Sequence, residues 1–369
     1  MVKLNNLVQY VFYLATSLAL LANTNITFLI HNRNLNIVFL VLMFVVYVYY
    51  AKSRLFTKDM LFSTIFLVIY FAFFLVFRIQ LTINWSLIFF LFFTPLISSN
   101  DIHFVRNLLI IKIALISMVI LACLMGMIPD TVTYKIGEEA HSLGFFHPNT
   151  LGVTGLSILY DLYILSKTKR TIFYALITVV AVVILYRITY SRTSLMIMLT
   201  ILIIFIFRDW LSKKIVSRVC FVLLTMLIIL VGLFDSVFYT TSNQIYVFID
   251  KFLTNRLYLG NLYINRYGFT LLPKQTPNII PAGWWSSDQL FNDNTYLKFA
   301  LTQGTILTAV LILYILYNVF SKKYNLYRAL LMTTAFIYLI IEAQDFNVFL
   351  FTPLLFNLMA ESDGTGSLE

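Results

Sequence analysis

The chain has 369 residues, of which 60% are hydrophobic and only 11% are charged, and its formal net charge is +10. A soluble domain carries roughly 25% charged residues, so this composition excludes an ordinary soluble protein. Apolar runs of about 20 residues recur along the sequence, whereas the alternation typical of membrane β-strands is absent. The composition therefore predicts an all-α polytopic membrane protein.

The apolar runs predict about twelve transmembrane helices in one transmembrane domain, residues 1–361. In chain order they are approximately 7–30, 35–51, 60–77, 84–97, 105–128, 149–166, 171–190, 193–207, 215–234, 294–320, 328–342 and 346–360. The first run is too long for the apolar core of a cleavable signal peptide. Residues 362–369 have the composition of a segment left over from cloning, and we expect them to lie outside the fold.

The distribution of lysines and arginines predicts the orientation in the membrane. Alternate loops carry most of them, namely Lys3, Lys52, Arg54, Lys58, Arg106, Lys167, Lys169, Arg170, Arg208, Lys213, Lys214, Arg218, Lys322, Lys323 and Arg328. The positive-inside rule assigns these loops, and both termini, to the cytoplasm. Membrane topology therefore accounts for the positive charge, and no nucleic-acid partner is predicted.

Two long connections fall on the outer side, residues 129–148 and the much longer loop 235–293. In residues 245–257 the apolar residues recur at helical spacing, and Asp250 and Lys251 fall on the other face. This pattern predicts an amphipathic helix in the membrane interface with an exposed Asp250.

Polar residues from distant parts of the sequence are predicted to meet at the outer ends of the spans. An ionisable residue near the apolar core of a membrane is a functional candidate because its burial is costly. The outer set comprises Glu138, Glu139, His141, His147, Asn149, Arg187, Ser191, Arg192, Asp288, Asp293, Asn294, Lys298, Glu342 and Asp345. Elsewhere, we expect Lys112 to extend toward the cytoplasmic surface and Asp161 to pair with a neighbouring helix. No metal-ligand spacing, P-loop or dinucleotide motif is present, so neither a metal nor a cofactor is predicted.

Four short motifs resemble those of bacterial O-antigen and capsular polysaccharide polymerases (Wzy-type), in the same order and on the same predicted side. They are His147-Pro148-Asn149, Ser191-Arg192-Thr193-Ser194, Asn255-Arg256-Leu257 through Tyr267-Gly268, and Asp293-Asn294-Thr295-Tyr296. The resemblance is best between residues 141 and 305. The chain departs from the family at Pro273, where the family usually has glycine. Related ligases place a histidine in the large loop, and residues 235–293 contain none.

The resemblance implies a glycosyltransferase-C-like bundle with one large extracytoplasmic loop, in a bacterial cell membrane. It implies a polymerase that joins undecaprenyl-pyrophosphate-linked oligosaccharides, as donor and acceptor, into a capsule, exopolysaccharide or O-antigen. Membrane lipid surrounds such an enzyme, and a flippase and a chain-length regulator are its implied protein partners. Two other functions remain open: a ligase that passes the glycan to a different acceptor, and a lipid-glycan or polysaccharide transporter. A transporter is disfavoured because the chain has only 12 glycines and its charges cluster at helix ends.

The implied reaction requires a base for the attacking hydroxyl and positive charge at the leaving pyrophosphate. We predict that Arg187, Arg192 and Arg256 contact the pyrophosphate, since arginine binds phosphate oxygens in pairs. The other predicted substrate ligands are Asn149, Asn294, Tyr296 and His141.

The base is predicted to be His147 or Asp293. Pro148 favours the first turn of a helix, so His147 lies at a helix start, where the helix dipole disfavours its protonated form. Asp293 can serve if burial raises its pKa, and Glu138, Glu139 and Asp288 are weaker candidates. Structural roles also remain open: a turn for Arg192, a helix cap for His147, and a cap of the next span for Asp293 and Asn294.

Overall fold

The computed structural model describes residues 2–26, 57–77, 83–97, 101–135, 137–166, 171–277 and 292–361, together with residues 41, 45, 46, 48 and 279. This part of the chain forms fourteen helices and one two-stranded antiparallel hairpin. They are α1 (Val2–Ala22), α2 (Lys58–Val76), α3 (Trp85–Phe93), α4 (Ile102–Leu124), β1 (Val132–Lys135), β2 (Glu138–His141), α5 (Pro148–Leu165), α6 (Thr171–Thr189), α7 (Arg192–Ile206), α8 (Arg208–Leu211), α9 (Arg218–Phe234), α10 (Gln244–Phe252), α11 (Arg256–Tyr267), α12 (Thr295–Ser321), α13 (Leu326–Ile341) and α14 (Phe356–Met359).

Four of the described helices are long and apolar enough to cross a membrane: Lys58–Val76, Ile102–Leu124, Ile172–Thr189 and Thr295–Ser321. Shorter apolar helices accompany them at Asn6–Ala22, Arg192–Ile206, Arg218–Phe234 and Leu326–Ile341. Large apolar side chains such as Val76, Ile172 and Val180 point outward from the bundle. Contiguous exposed apolar surface of this kind is suited to lipid. The prediction of an all-α membrane protein is confirmed at this level.

The predicted count of twelve spans is not confirmed. The segment 35–51 lies almost entirely outside the described residues, as do residues 362–369. The segment 84–97 contains only the nine-residue helix α3, which is too short for a hydrocarbon core of about 30 Å. The segment 346–360 forms a 3-10 turn, Thr352–Leu354, and the short α14, both buried within the bundle. A segment that is apolar on every face suits a protein core as well as a membrane, and hydropathy does not separate the two.

A buried ion pair joins α4 to α5. Lys112 Nζ lies 2.7 Å from Asp161 Oδ2 and donates hydrogen bonds to Ser157 Oγ at 2.7 Å and Thr352 Oγ1 at 3.3 Å. The Thr352 hydroxyl also donates to Asp161. Both charged side chains are 0% exposed. The expectation that Lys112 extends to the surface is wrong, because Asp161 satisfies its charge inside the bundle; the pairing of Asp161 with a neighbouring helix is confirmed.

Helix α12 is broken at Gly304, and the outer loop is anchored in the break. Gly304 has a φ of 83°, a conformation that glycine adopts without steric cost. The backbone amide of Thr305 donates to the carbonyl of Thr270 at 2.8 Å, and the Lys274 amide donates to the carbonyl of Thr302 at 3.1 Å. A Cβ atom at position 304 would lie 2.7 Å from the Leu271 carbonyl oxygen. The loop thus satisfies backbone groups that the break releases.

The loop segment 245–257 forms parts of two helices rather than one. The chain turns between α10 and α11 at Thr254 and Asn255, which have φ values of 60° and 62°. Asp250 is only 3% exposed, because its Oδ1 accepts hydrogen bonds from the Leu257 amide at 2.8 Å and the Tyr258 amide at 3.2 Å. The predicted exposure of Asp250 is therefore wrong. The apolar residues Ile245, Phe248 and Phe252 point outward instead.

We expect the substitution Lys112→Met to destabilise the protein strongly, because it leaves the Asp161 carboxylate buried without its cation. Removing one partner of a buried pair costs about 3–5 kcal/mol. Replacing both, in Lys112→Met/Asp161→Leu, should recover most of the loss. Thermal unfolding of the purified proteins in detergent measures both effects, and equal instability of the single and double variants would contradict this account.

The substitution Gly304→Ala should release the outer loop, because the added methyl group collides with the Leu271 carbonyl. Overpacking of this kind costs about 1–3 kcal/mol. Gly126→Ala is the matched control: Gly126 also has a positive φ, of 72°, but a Cβ atom there meets nothing within 4 Å. Limited proteolysis should cut residues 268–274 faster in Gly304→Ala than in the control. Equal cleavage rates would mean that the break does not hold the loop.

Candidate functional site

His147 is the N-cap of α5, and Pro148 is its first residue, as the sequence predicts. The His147 Nδ1 atom accepts a hydrogen bond from the Asn149 amide at 3.1 Å. A neutral imidazole carries one proton, so Nε2 holds it and acts as a donor. The ring edge is open to solvent, yet desolvation and the nearby Lys135 charge lower the pKa of His147 to about 4. The ring is therefore neutral at pH 7 but presents a donor, which fits a cap better than a base.

Close contact between α5 and α7 brings the first two motifs together. A Cβ atom on Gly152 would lie 3.0 Å from the Ser191 Cβ and 3.0 Å from the Ser194 Oγ. Ser191 donates to Ser194 at 3.1 Å, and Ser194 lies 3.3 Å from the Tyr338 hydroxyl of α13. Three helices, α5, α7 and α13, are thereby held at one depth beneath the motifs.

Lys135, at the tip of the β1–β2 hairpin, reaches the start of α5. Its Nζ donates to the Asn149 Oδ1 at 2.5 Å and to the Thr189 carbonyl at 3.1 Å. Burial lowers the pKa of Lys135 to about 8; the Glu342 carboxylate opposes this effect, and the Arg256 charge adds to it. Among the described residues no acid lies within ion-pair distance of Lys135. It is a partly desolvated cation whose pKa responds to the charges of Glu342 and Arg256.

Arg256, the first residue of α11, is a largely enclosed cation of the site. Its Nη2 lies 2.8 Å from Glu342 Oε1, and its Nε lies 3.5 Å from Asp293 Oδ2. The side chain is 14% exposed, and its Nη1 atom is buried without a hydrogen-bond partner. An unsatisfied guanidinium donor costs free energy, about 1–3 kcal/mol or more. The geometry therefore leaves one buried N–H group available for an anionic ligand.

Asp293 lies beside Arg256 and is partly open to solvent. Burial raises the pKa of Asp293 to about 6, Arg256 opposes this rise, and the Glu342 charge adds to it. The side chain is 37% exposed, so a ligand can reach the carboxylate. A carboxylate with this pKa is ionised at neutral pH and is still basic enough to accept a proton.

Asn294 and Tyr296 direct their polar atoms into the bundle. The Asn294 Oδ1 accepts from the Leu297 amide at 3.1 Å, and its amide group donates to the Gly232 carbonyl at 2.6 Å. The Tyr296 hydroxyl donates to the Phe336 carbonyl at 3.2 Å. These contacts favour the capping alternative for Asn294, and we assign neither residue to substrate.

The remaining predicted ligands, Arg187, Arg192 and His141, make no contact with Arg256 or Asp293 among the described ion pairs and hydrogen bonds. Arg187 and Arg192 are exposed at the adjoining ends of α6 and α7, and no ion pair within the described ranges uses either one. His141 pairs in register with Val132, so it faces the opposite side of the hairpin from Lys135. There its Nδ1 lies 2.7 Å from Asp130 Oδ2. Hydrogen bonds from His141, Leu143 and Ser142 hold the pKa of Asp130 below its usual value, although partial burial alone would raise it.

Sequence reasoning missed two residues of this arrangement. It gave neither Lys135 nor Glu342 a specific role. The predicted outer loop 235–293 also holds Lys251 and Lys274, so the charge of Lys135 did not distinguish it. The contact of Glu342 with Arg256 spans 86 residues, and no local pattern indicates it.

No family model, curated protein or solved structure matches the chain.

The lowered pKa of Lys135 predicts selective reactivity. Only the neutral amine is acylated, so modification of Lys135 should rise with a midpoint near pH 8. Glu342→Gln should move that midpoint to lower pH. The Glu342 carboxylate stabilises the charged amine, so its removal lowers the pKa of Lys135. Peptide mass spectrometry of labelled protein measures this, with the exposed Lys251 of α10 as the internal control. An unchanged Lys135 midpoint in Glu342→Gln would show that the two groups do not interact.

Proposed function

We propose that the protein is a glycosyltransferase that joins polyprenyl-pyrophosphate-linked oligosaccharide units into a surface polysaccharide at the outer face of a bacterial membrane. The observation that carries the proposal is the enclosed Arg256 guanidinium, whose buried Nη1 atom has no hydrogen-bond partner and whose charge acts on Lys135. Two cations, Arg256 at the start of α11 and Lys135 held by the hairpin at the start of α5, suit a pyrophosphate whose lipid chain remains in the bilayer. Three of the four motifs that resemble those of polysaccharide polymerases contribute to this pair, through Asn149, Arg256 and Asp293.

In the proposed reaction a hydroxyl oxygen of the acceptor glycan attacks the anomeric carbon of the donor. The bond between that carbon and the pyrophosphate oxygen breaks, and the polyprenyl pyrophosphate leaves with the bonding electrons. Arg256 and Lys135 stabilise the negative charge that develops on the leaving oxygen. The exposed Arg187 and Arg192 attract the anionic donor to the site.

We assign Asp293, rather than His147, as the base that takes the proton of the attacking acceptor hydroxyl. The His147 Nδ1 atom is occupied as a helix cap, and its Nε2 is a donor. Asp293 has a reachable carboxylate with a pKa raised to about 6. His147 and Asn149 then act on the site by shaping the helix start that holds Lys135.

Incubation of the purified protein with a lipid-linked repeat unit tests the proposal directly. We expect a ladder of products, and we expect Arg256→Lys to reduce it on the order of a hundredfold, since lysine keeps the charge but not the forked geometry. Arg266→Lys, an exposed position on the same helix, should leave the ladder unchanged. Full-length polymer from Arg256→Lys would refute the role of the guanidinium, and transfer to a foreign acceptor without a ladder would indicate a ligase.

The rate should depend on pH in a bell-shaped manner. Asp293 must lose its proton to act as a base, so activity should rise as pH rises through about 6. Lys135 must keep its proton, so activity should fall as pH rises through about 8. Lys135→Arg should remove the fall at high pH and leave the rise at low pH, because arginine stays charged. A fall that persists in Lys135→Arg would exclude Lys135 as its origin.

A further inference from the structure

A polar cavity of about 240 Å³ lies at the end of the bundle opposite the candidate site. The candidate site adjoins the last turn of α9 and the first turn of α12. The cavity is lined instead by Arg218, at the first residue of α9, by Ser321, Lys322 and Lys323, where α12 ends, and by Glu361. The cavity and the candidate site are therefore separated by the length of these two helices.

The charges of the cavity do not balance. Lys322 Nζ is paired with Asp59 Oδ2 at 2.9 Å. Glu361 accepts a hydrogen bond from the Asn325 side chain and interacts with the charge of Arg328. For Arg218 and Lys323, no acid among the described residues lies within ion-pair distance. Within the described ranges, two positive charges thus lie without a counterion beside the same partly open cavity.

The surroundings of the cavity suit an amphiphile. Val219 and Leu223 follow Arg218 along α9, and Phe320 precedes Ser321 on α12; all three are exposed apolar side chains. A volume of about 240 Å³ is several times the ~30 Å³ that one water molecule occupies, so a phosphate group fits within it. The basic loops at this end of the helices are those that the positive-inside rule assigns to the cytoplasm.

We propose that this cavity binds the phosphate headgroup of an anionic phospholipid of the cytoplasmic leaflet. Arg218 and Lys323 contact the phosphate, and the acyl chains lie along Val219, Leu223 and Phe320. Basic pockets between membrane helices on the cytoplasmic side are suited to lipid phosphates. The proposal is independent of the reaction at the other end of the bundle.

Thermal unfolding of the full chain in nanodiscs tests the proposal, with phosphatidylcholine alone as the reference. Adding phosphatidylglycerol should raise the unfolding temperature, and adding inorganic phosphate to the phosphatidylcholine discs should not. The double variant Arg218→Gln/Lys323→Gln should require on the order of tenfold more phosphatidylglycerol for the same shift. Lys58→Gln/Lys213→Gln is the matched control, because it removes two exposed lysines from the same predicted side outside the cavity.

An equal loss of the phosphatidylglycerol-dependent rise in unfolding temperature in the two double variants would overturn the proposal. It would show that the protein responds to total charge alone. An equal shift with inorganic phosphate would also overturn it, because the ligand would then be a free anion. Native mass spectrometry of the unaltered protein gives a second measurement that needs no variant. It should show phosphatidylglycerol retained in preference to phosphatidylcholine, and equal retention of the two lipids would refute the lipid site.

Discussion

The architecture depends on the ion pair between Lys112 and Asp161. Each charge alone would be costly inside a membrane, and together with Ser157 and Thr352 they form an ion-paired polar cluster. The outer end of α4 and the start of α5 lie about equally far from this cluster, roughly 18 Å along each helix. Because α4 leads into the hairpin that carries Lys135, and α5 begins beside Asn149, the pair sets the depth at which these two residues meet.

The outer loop is part of the site rather than a cover over it. Arg256 is the first residue of α11, and Asp250 fixes that helix start by accepting two of its amides. Further along, the loop is hydrogen-bonded into the break at Gly304, in the same helix that opens beside Asp293. Arg256 therefore begins a segment whose later residues, 270–274, are hydrogen-bonded to the same helix that begins beside Asp293.

Local stereochemistry could be predicted from the sequence, whereas long-range contacts could not. Proline fixes its own φ angle, so the helix start at His147 was predictable from two residues. The common membrane side of the four motifs, which follows from counting spans, stays a prediction. The burial of Asp250 was not predictable. A carboxylate on the polar face of a helix usually contacts solvent, and only the turn at Asn255 brings the first amides of α11 to Asp250. The contacts of Lys112 and Glu342 depend on how helices pack, and their partners are 49 and 86 residues away.

Lys135 is supplied by a hairpin outside the helices, and this placement makes the charge of the site adjustable from the aqueous side. One face of the hairpin presents Lys135 to the helix ends, while Tyr134 and Glu139 on the other face are exposed and hydrogen-bonded to each other at 3.0 Å. Side chains alternate along a strand, so a register slip of one residue would turn Lys135 away. An antibody fragment that binds the exposed face of Tyr134 and Glu139 could therefore move Lys135 away from the start of α5 without contacting the lipid.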